Sequence, residues 1–133
     1  MDNTVVWADI PATDLDRAMK FYGAVLQRKF QRVEGMDGIA LEAPPDQSAS
    51  ADAQQGSPVS FDLAVGENQM PSTDGCTIYL DSHGDPEGML QRAARAGGRI
   101  LMPVTDMGEM VGSIGLFIDS EGNRIGVHKS PRM

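Results

Sequence analysis

Much that would mark a function is missing from these 133 residues. There is a single cysteine, Cys76, so no internal disulfide can form, and its apolar surroundings in sequence read as a small buried thiol. Histidine occurs only at His83 and His128, and the aromatics are one tryptophan, two tyrosines and four phenylalanines. No apolar run approaches the length of a membrane span, and no basic-then-apolar leader opens the chain, which sets the cytoplasm as the expected location. Positive charge is also short. Eleven Lys and Arg face nineteen Asp and Glu, a formal net charge of −8 that argues against nucleic acid or an anionic membrane as partner and favours a cationic ligand. A phosphate-binding glycine loop, a nucleophile elbow and a Cys-x-x-Cys pair are all absent, as is any general acid–base pair at fixed spacing.

What is present is a repeat. Residues 5–30 read as a strand, a corner and an amphipathic helix, and residues 76–102 return the same plan. The first strand, 5–10, is β-branched and ends at Pro11, which brings no ladder donor. Thr13 and Asp14 offer N-cap oxygens to a helix whose apolar stripe is Leu15, Ala18, Met19, Tyr22, Val25 and Leu26. Strands follow at 30–33, 38–43 and 59–65, with a turn at 35–38. Between the last two lies 44–58, polar, small and aperiodic, which reads as a flexible loop, either a lid or a solvated connector.

After a linker at 66–75 the plan restarts. A strand at 77–80 precedes a helix capped by Asp85, with Pro86 in its first position and Met89, Leu90, Ala93 and Ala94 as its apolar face. Gly97 and Gly98 stop it, and a strand begins at 99–102. Residues 103–112 read as a loop in which Met107 and Met110 offer an adaptable rim. Residues 113–118 and 124–129 close the chain as a hairpin whose turn holds Asp119 and Asn123. Asp85 stands 71 residues after Asp14, so the two helices are in register. The expected organisation is a single domain over 1–133, with a first βαβββ module at 1–66 and a second at 76–130.

Two stretches carry a likeness. Residues 10–26, IPATDLDRAMKFYGAVL, and 115–128, GLFIDSEGNRIGVH, resemble the strand-to-helix opening and the closing hairpin of the vicinal-oxygen-chelate superfamily. That group includes glyoxalase I, extradiol dioxygenases and the bleomycin-resistance proteins. The resemblance implies an α+β fold, its two βαβββ modules forming a curved, incompletely closed mixed sheet around a cavity. In the enzymes of the family the cavity holds a divalent metal on His, Gln or Glu from the first and last strands of each module. Carried across, those positions fall on Trp7, on or near Thr77, on Gly126, and on the strand at 59–65, where Asp62 is the one candidate. Trp and Gly bring no metal-binding side chain, so no metal and no cofactor are expected.

Strand alternation then suggests a different lining. If Trp7 faces the cavity so does Asp9; Thr77 brings Tyr79, and Gly126 brings Arg124 and His128. Trp7, Asp9, Thr77, Tyr79, Arg124 and His128 are the candidate ligand-binding residues for a small organic molecule. Each has a plainer reading: Trp7 and Tyr79 as core, Asp9 paired with Arg124 or a lysine, His128 solvated at a strand end. The expectation is a metal-free small-molecule-binding homodimer of the glyoxalase/bleomycin-resistance type. Two alternatives are a glyoxalase-like lyase or isomerase with a rearranged metal site at Asp62 and Glu42, and an interaction module whose cavity Trp7 fills.

Overall fold

Ten elements follow one another in a computed structural model that describes residues 4–43 and 60–131; the loop expected at 44–58 lies outside them. The first module is β1 (Trp7–Pro11), α1 (Leu15–Leu26), β2 (Phe30–Arg32), β3 (Ile39–Glu42) and β4 (Ser60–Ala64). The second is β5 (Ile78–Asp81), α2 (Pro86–Arg95), β6 (Arg99–Asp106), β7 (Ser113–Ile118) and β8 (Arg124–Lys129). Each module makes a four-stranded mixed sheet, ordered β1-β4-β3-β2 and β5-β8-β7-β6, with the first strand parallel to the last. Among the described residues the two sheets are not hydrogen-bonded to each other, so β1 and β5 each keep an edge that no described strand pairs with.

The helix caps explain the repeat. Asp14 accepts the Arg17 N–H at 3.1 Å and Asp85 accepts the Gly88 N–H at 3.0 Å, each satisfying a first-turn donor the helix leaves open. Both helices also close the same way, with a left-handed residue followed by an N–H reaching back five positions. In α1 the left-handed residue is Gln27 (φ 57°), and Arg28 N–H bonds Gly23 O at 3.1 Å. In α2 it is Gly97 (φ 112°), and Gly98 N–H bonds Ala93 O at 2.8 Å.

One core serves both modules. Leu15, Ala18, Tyr22 and Val25 of α1 lie buried with Ile10, Ala40 and Leu63 of the first sheet, and in the same cluster as Met89, Leu90, Ala93, Phe117 and Val127 of the second module. Phe21, outside the expected stripe, is buried as well, its ring 5.9 Å from that of Phe117. Helix α1 therefore has two apolar faces, because α2 packs beside it; Arg92 Nε donates to the Val25 carbonyl at 2.8 Å. Ala94, expected on the apolar face of α2, is exposed, and Pro86 is buried instead.

Two further expectations are corrected. Residues 103–106 belong to strand β6 and not to a loop. β6 is an edge strand whose pairing with β7 shifts register twice between Ile100 and Thr105, and an edge with bulges tolerates the donor Pro103 lacks. Cys76 is exposed, because β5 begins only at Ile78 and leaves the thiol at the end of the linker.

The hairpin turn between β7 and β8 ties the modules together through three side chains. Asp119 Oδ1 accepts the backbone N–H groups of Glu121 and Asn123, and its Oδ2 accepts the Tyr22 hydroxyl at 2.5 Å. Asn123 donates to the Pro11 carbonyl at 2.7 Å and accepts the Ser72 N–H at 3.1 Å. Glu121 reaches the start of α1, where Oε1 accepts the N–H groups of Thr13 and Asp14, both at 2.9 Å, and Oε2 accepts Arg17 Nε at 2.7 Å. Burial alone pushes the Glu121 carboxyl up, but the bonds from Arg17, Asp14, Thr13 and Ser120 outweigh it and bring the pKa down to about 2.

A depressed carboxyl stabilises the fold above its unfolded pKa and loses that contribution as pH falls through the folded one. For Glu121 the window runs from 4.5 down to about 2. Glu121→Gln is expected to cost ~2 kcal/mol near neutral pH, a figure kept below the full linkage value because Arg17 stands half in water. In urea titrations the gap between the two proteins should narrow steadily across that acid window. A gap independent of pH would show that Glu121 contributes packing and not charge.

Candidate functional site

The helices cover one face of each sheet, and alternation along the strands decides what the other face carries. On the first sheet Ala8 and Ile10 pack into or against the core with Phe61 and Leu63, so Trp7 and Asp9 of β1 turn the other way, in register with Ser60 and Asp62 of β4. On the second sheet Leu80, Ile125 and Val127 are core, which leaves Tyr79, Arg124, Gly126 and His128 on the open face. Trp7 is 45% exposed and Tyr79 is 47% exposed. Two large rings held half in water are not core packing, and the plainer reading of both is set aside.

The rings are nonetheless fixed in place. Trp7 Nε1 donates to Asp62 Oδ2 at 3.1 Å. Tyr79 lies over Gly126, its register partner on β8: a methyl group built on Gly126 would collide with the tyrosine ring. Glycine here is what lets the ring settle on the backbone.

Asp62 is the residue the sequence undervalued. It is only 8% exposed, its Oδ1 finds no hydrogen-bond partner among the described residues, and its register partner on β1 is another carboxylate, Asp9. Burial raises its pKa from the ordinary aspartate value; the Trp7 bond lowers it in part, and Asp9 raises it further.

The remaining candidates fall into place as follows. Arg124 does not pair with Asp9: its Nε donates to Thr77 Oγ1 and its Nη2 to the Gly75 carbonyl, both at 2.9 Å. His128 is half-buried, and its Nε2 donates to the Val111 carbonyl at 2.6 Å, so it is tethered to the β6–β7 turn. Asp9 and Arg124 line one cavity of about 190 Å³, with Ser72, Cys76 and Asn123. A wider cleft of about 870 Å³ lies between the modules, lined by Ala8, Phe61 and Leu26 on one side and Thr77, Ile78 and Tyr79 on the other. Asp62 and Glu42 are not brought together. Leu41 is the register partner of Asp62, so Glu42 points to the opposite face, where it forms an ion pair with Arg28.

The metal expected of the family's enzymes can be tested against these positions. Trp7 and Gly126 offer no donor, Thr77 is engaged by Arg124, the ring of Tyr79 covers the point from which a residue at 126 would ligate, and Asp62, the one carboxylate of the set, is bonded to Trp7. Among the described residues no group of three His, Cys, Asp or Glu side chains is placed to hold a metal ion. The donor set does not fit a divalent centre.

Solved structures with this arrangement are numerous. A glyoxalase/bleomycin resistance protein from Albidiferax ferrireducens T118 superposes with a TM-score of 0.66 at 16% identity, over 95% of this chain and 98% of that one. A glyoxalase-related enzyme from Fulvimarina pelagi gives 0.62 at 16%, over 96% and 88%. A V278E glyoxalase I mutant from Zea mays gives 0.65 at 16%, over 96% of this chain and 46% of that longer one. At such identities the likeness is one of fold. No match is found among curated proteins. The family's own sequence model matches residues 4–127, from the approach to β1 through most of β8 and so across both modules, and on that ground the chain belongs to the Glyoxalase/Bleomycin resistance protein/Dioxygenase superfamily.

Proposed function

We propose that this chain is a small-molecule-binding protein of the glyoxalase/bleomycin-resistance type that works without the family's catalytic metal. The observation that carries the reading is the exchange of ligands for rings. At two positions where a metal would be gripped, the open sheet faces present Trp7, and Tyr79 laid over Gly126. Half-exposed aromatic faces beside a few fixed polar groups suit a planar organic ligand. Trp7, Asp9, Thr77, Tyr79, Arg124 and His128 are the side chains assigned to it. The protein acts in the cytoplasm as a homodimer on this reading. The edges of β1 and β5 that no described strand pairs with, and the exposed Val5 and Val6, support self-association, since open strand edges invite pairing. Among the described residues no helix is long and apolar enough to cross a membrane.

Native mass spectrometry of the untagged protein, purified without chelator, tests the reading. A dimer that takes up no nickel, zinc or manganese and carries a co-purified organic mass is the expected result. One metal ion per site would overturn the metal-free assignment. For the same ligand, Trp7→Ala is expected to weaken binding by roughly ten-fold or more, as loss of an aromatic platform does. Trp7→Ala also takes away the donor to buried Asp62, so a thermal melt first shows that the variant folds; an unchanged affinity in the folded variant would remove the ring from the site.

A further inference from the structure

We propose that Asp62, backed by Asp9, receives the protonated amine of a cationic ligand whose ring stacks on Trp7. This rests on the small-molecule reading above and names the class of molecule.

Asp62 is buried, and Trp7 is the one side chain among the described residues that donates to it, to Oδ2 at 3.1 Å; Oδ1 has no donor, and its neighbour Asp9 can bond with Asp62 only by sharing a proton. A buried acceptor left without a donor costs free energy, and a fold retains such a group where something supplies the bond. The donor it calls for is positive. Asp9 stands beside Asp62 across the β1–β4 pair, so two carboxylates share the spot. Arg124, the cation expected to neutralise Asp9, is engaged elsewhere, and no ion pair among the described residues involves either aspartate. An ammonium group can bridge the two carboxylates with its N–H donors, as one neutral hydroxyl cannot. The indole offers the rest. Its N–H is turned into Asp62, and the half-exposed ring takes an aromatic or cationic face. The surplus of acidic residues over the whole chain favours the approach of such a ligand.

The test uses one ring with three head groups: 2-phenylethylamine, 2-phenylethanol and phenylacetate. Trp7 is the only tryptophan, so its fluorescence, excited where phenyl rings do not absorb, reports occupancy at the site itself. The amine is expected to bind at least ~10-fold more tightly than the alcohol, the advantage of a charge-assisted bond, and phenylacetate more weakly than either. Asp62→Asn keeps the shape and an acceptor for Trp7, and should bring amine and alcohol to within about two-fold while the alcohol's own affinity is kept. Asp9→Asn should remove part of the preference, and thermal melts confirm that both variants fold.

Equal binding of amine and alcohol to the unaltered protein overturns the inference and leaves the small-molecule reading standing. An amine preference that survives Asp62→Asn overturns it in the same way. If none of the three probes moves the fluorescence of Trp7, both the inference and the ligand platform at Trp7 fail.

Discussion

Asp119→Ala is expected to remove about 3–5 kcal/mol of stability, a large part of what a domain of this size has. The aspartate is 4% exposed and accepts four hydrogen bonds: the Glu121 and Asn123 backbone N–H groups, the Asn123 amide and the Tyr22 hydroxyl. Removing it leaves the fully buried Tyr22 hydroxyl without a partner, and an orphaned donor costs more than the bond itself contributed. Burial already pushes the Tyr22 hydroxyl well above its ordinary pKa, with Asp119 adding to the rise, so the tyrosine stays neutral and donates. Tyr22→Phe removes donor and orphan together and should cost only about 1–2 kcal/mol. Thermal melts of the two variants separate the cases: a Tm fall of roughly 10–20 °C for Asp119→Ala against a few degrees for Tyr22→Phe. Equal falls would mean that the hydroxyl bond is the whole contribution of Asp119.

The second large effect is expected at Gly98. A methyl group there would lie 2.5 Å from the Ile118 carbonyl oxygen, 2.9 Å from the Phe21 ring and 3.0 Å from the Ala93 carbonyl oxygen. Two of those three contacts are backbone, one in β7 and one in α2, and neither can swing aside. Gly98→Ala should therefore cost about 2–3 kcal/mol by overpacking, read as the midpoint shift in a urea titration. Replacing Phe21 by Leu in the same chain should recover part of the loss, since the ring is the one neighbour able to yield. A Gly98→Ala protein as stable as the parent would show that α1 does not press on the second module as described.

Much of the fold is legible in the sequence because its signals are local. Asp14 and Asp85 announce two helices in register, and the apolar periods around them announce the strands. What escapes is whatever depends on a distant neighbour. Phe21 falls off the stripe that packs on the first sheet, and only the presence of α2 alongside explains why it is buried. Pro103 argues against a strand until β6 is known to be an edge. Glu121 completes the start of α1 from 107 and 108 residues away, a distance at which no capping rule operates.

The site divides in the same way. Alternation groups Trp7 with Asp9, Thr77 with Tyr79, and Gly126 with Arg124 and His128, once the resemblance says which faces look inward. The pairing of Asp9 with Asp62 needs the register of two parallel strands that are far apart in the chain. One signal does point toward it. A charged residue in the middle of Phe61, Asp62, Leu63 and Ala64 asks for a donor, and the neighbouring strand of a βαβββ module is where one, the Trp7 N–H, stands.

That helices cover one face of each sheet while the other stays open has a consequence for how such a chain changes over generations. Nearly all the residues that hold it together lie on the helix side or in the turn around Asp119; Trp7, Asp9 and Tyr79 lie on the open side and support little of the rest. Substitutions on that side can be sampled at small thermodynamic risk, so one scaffold is free to exchange a metal grip for an aromatic floor and then for some other chemistry. Duplication doubles the freedom, since each module supplies its own open wall and the two walls can diverge independently.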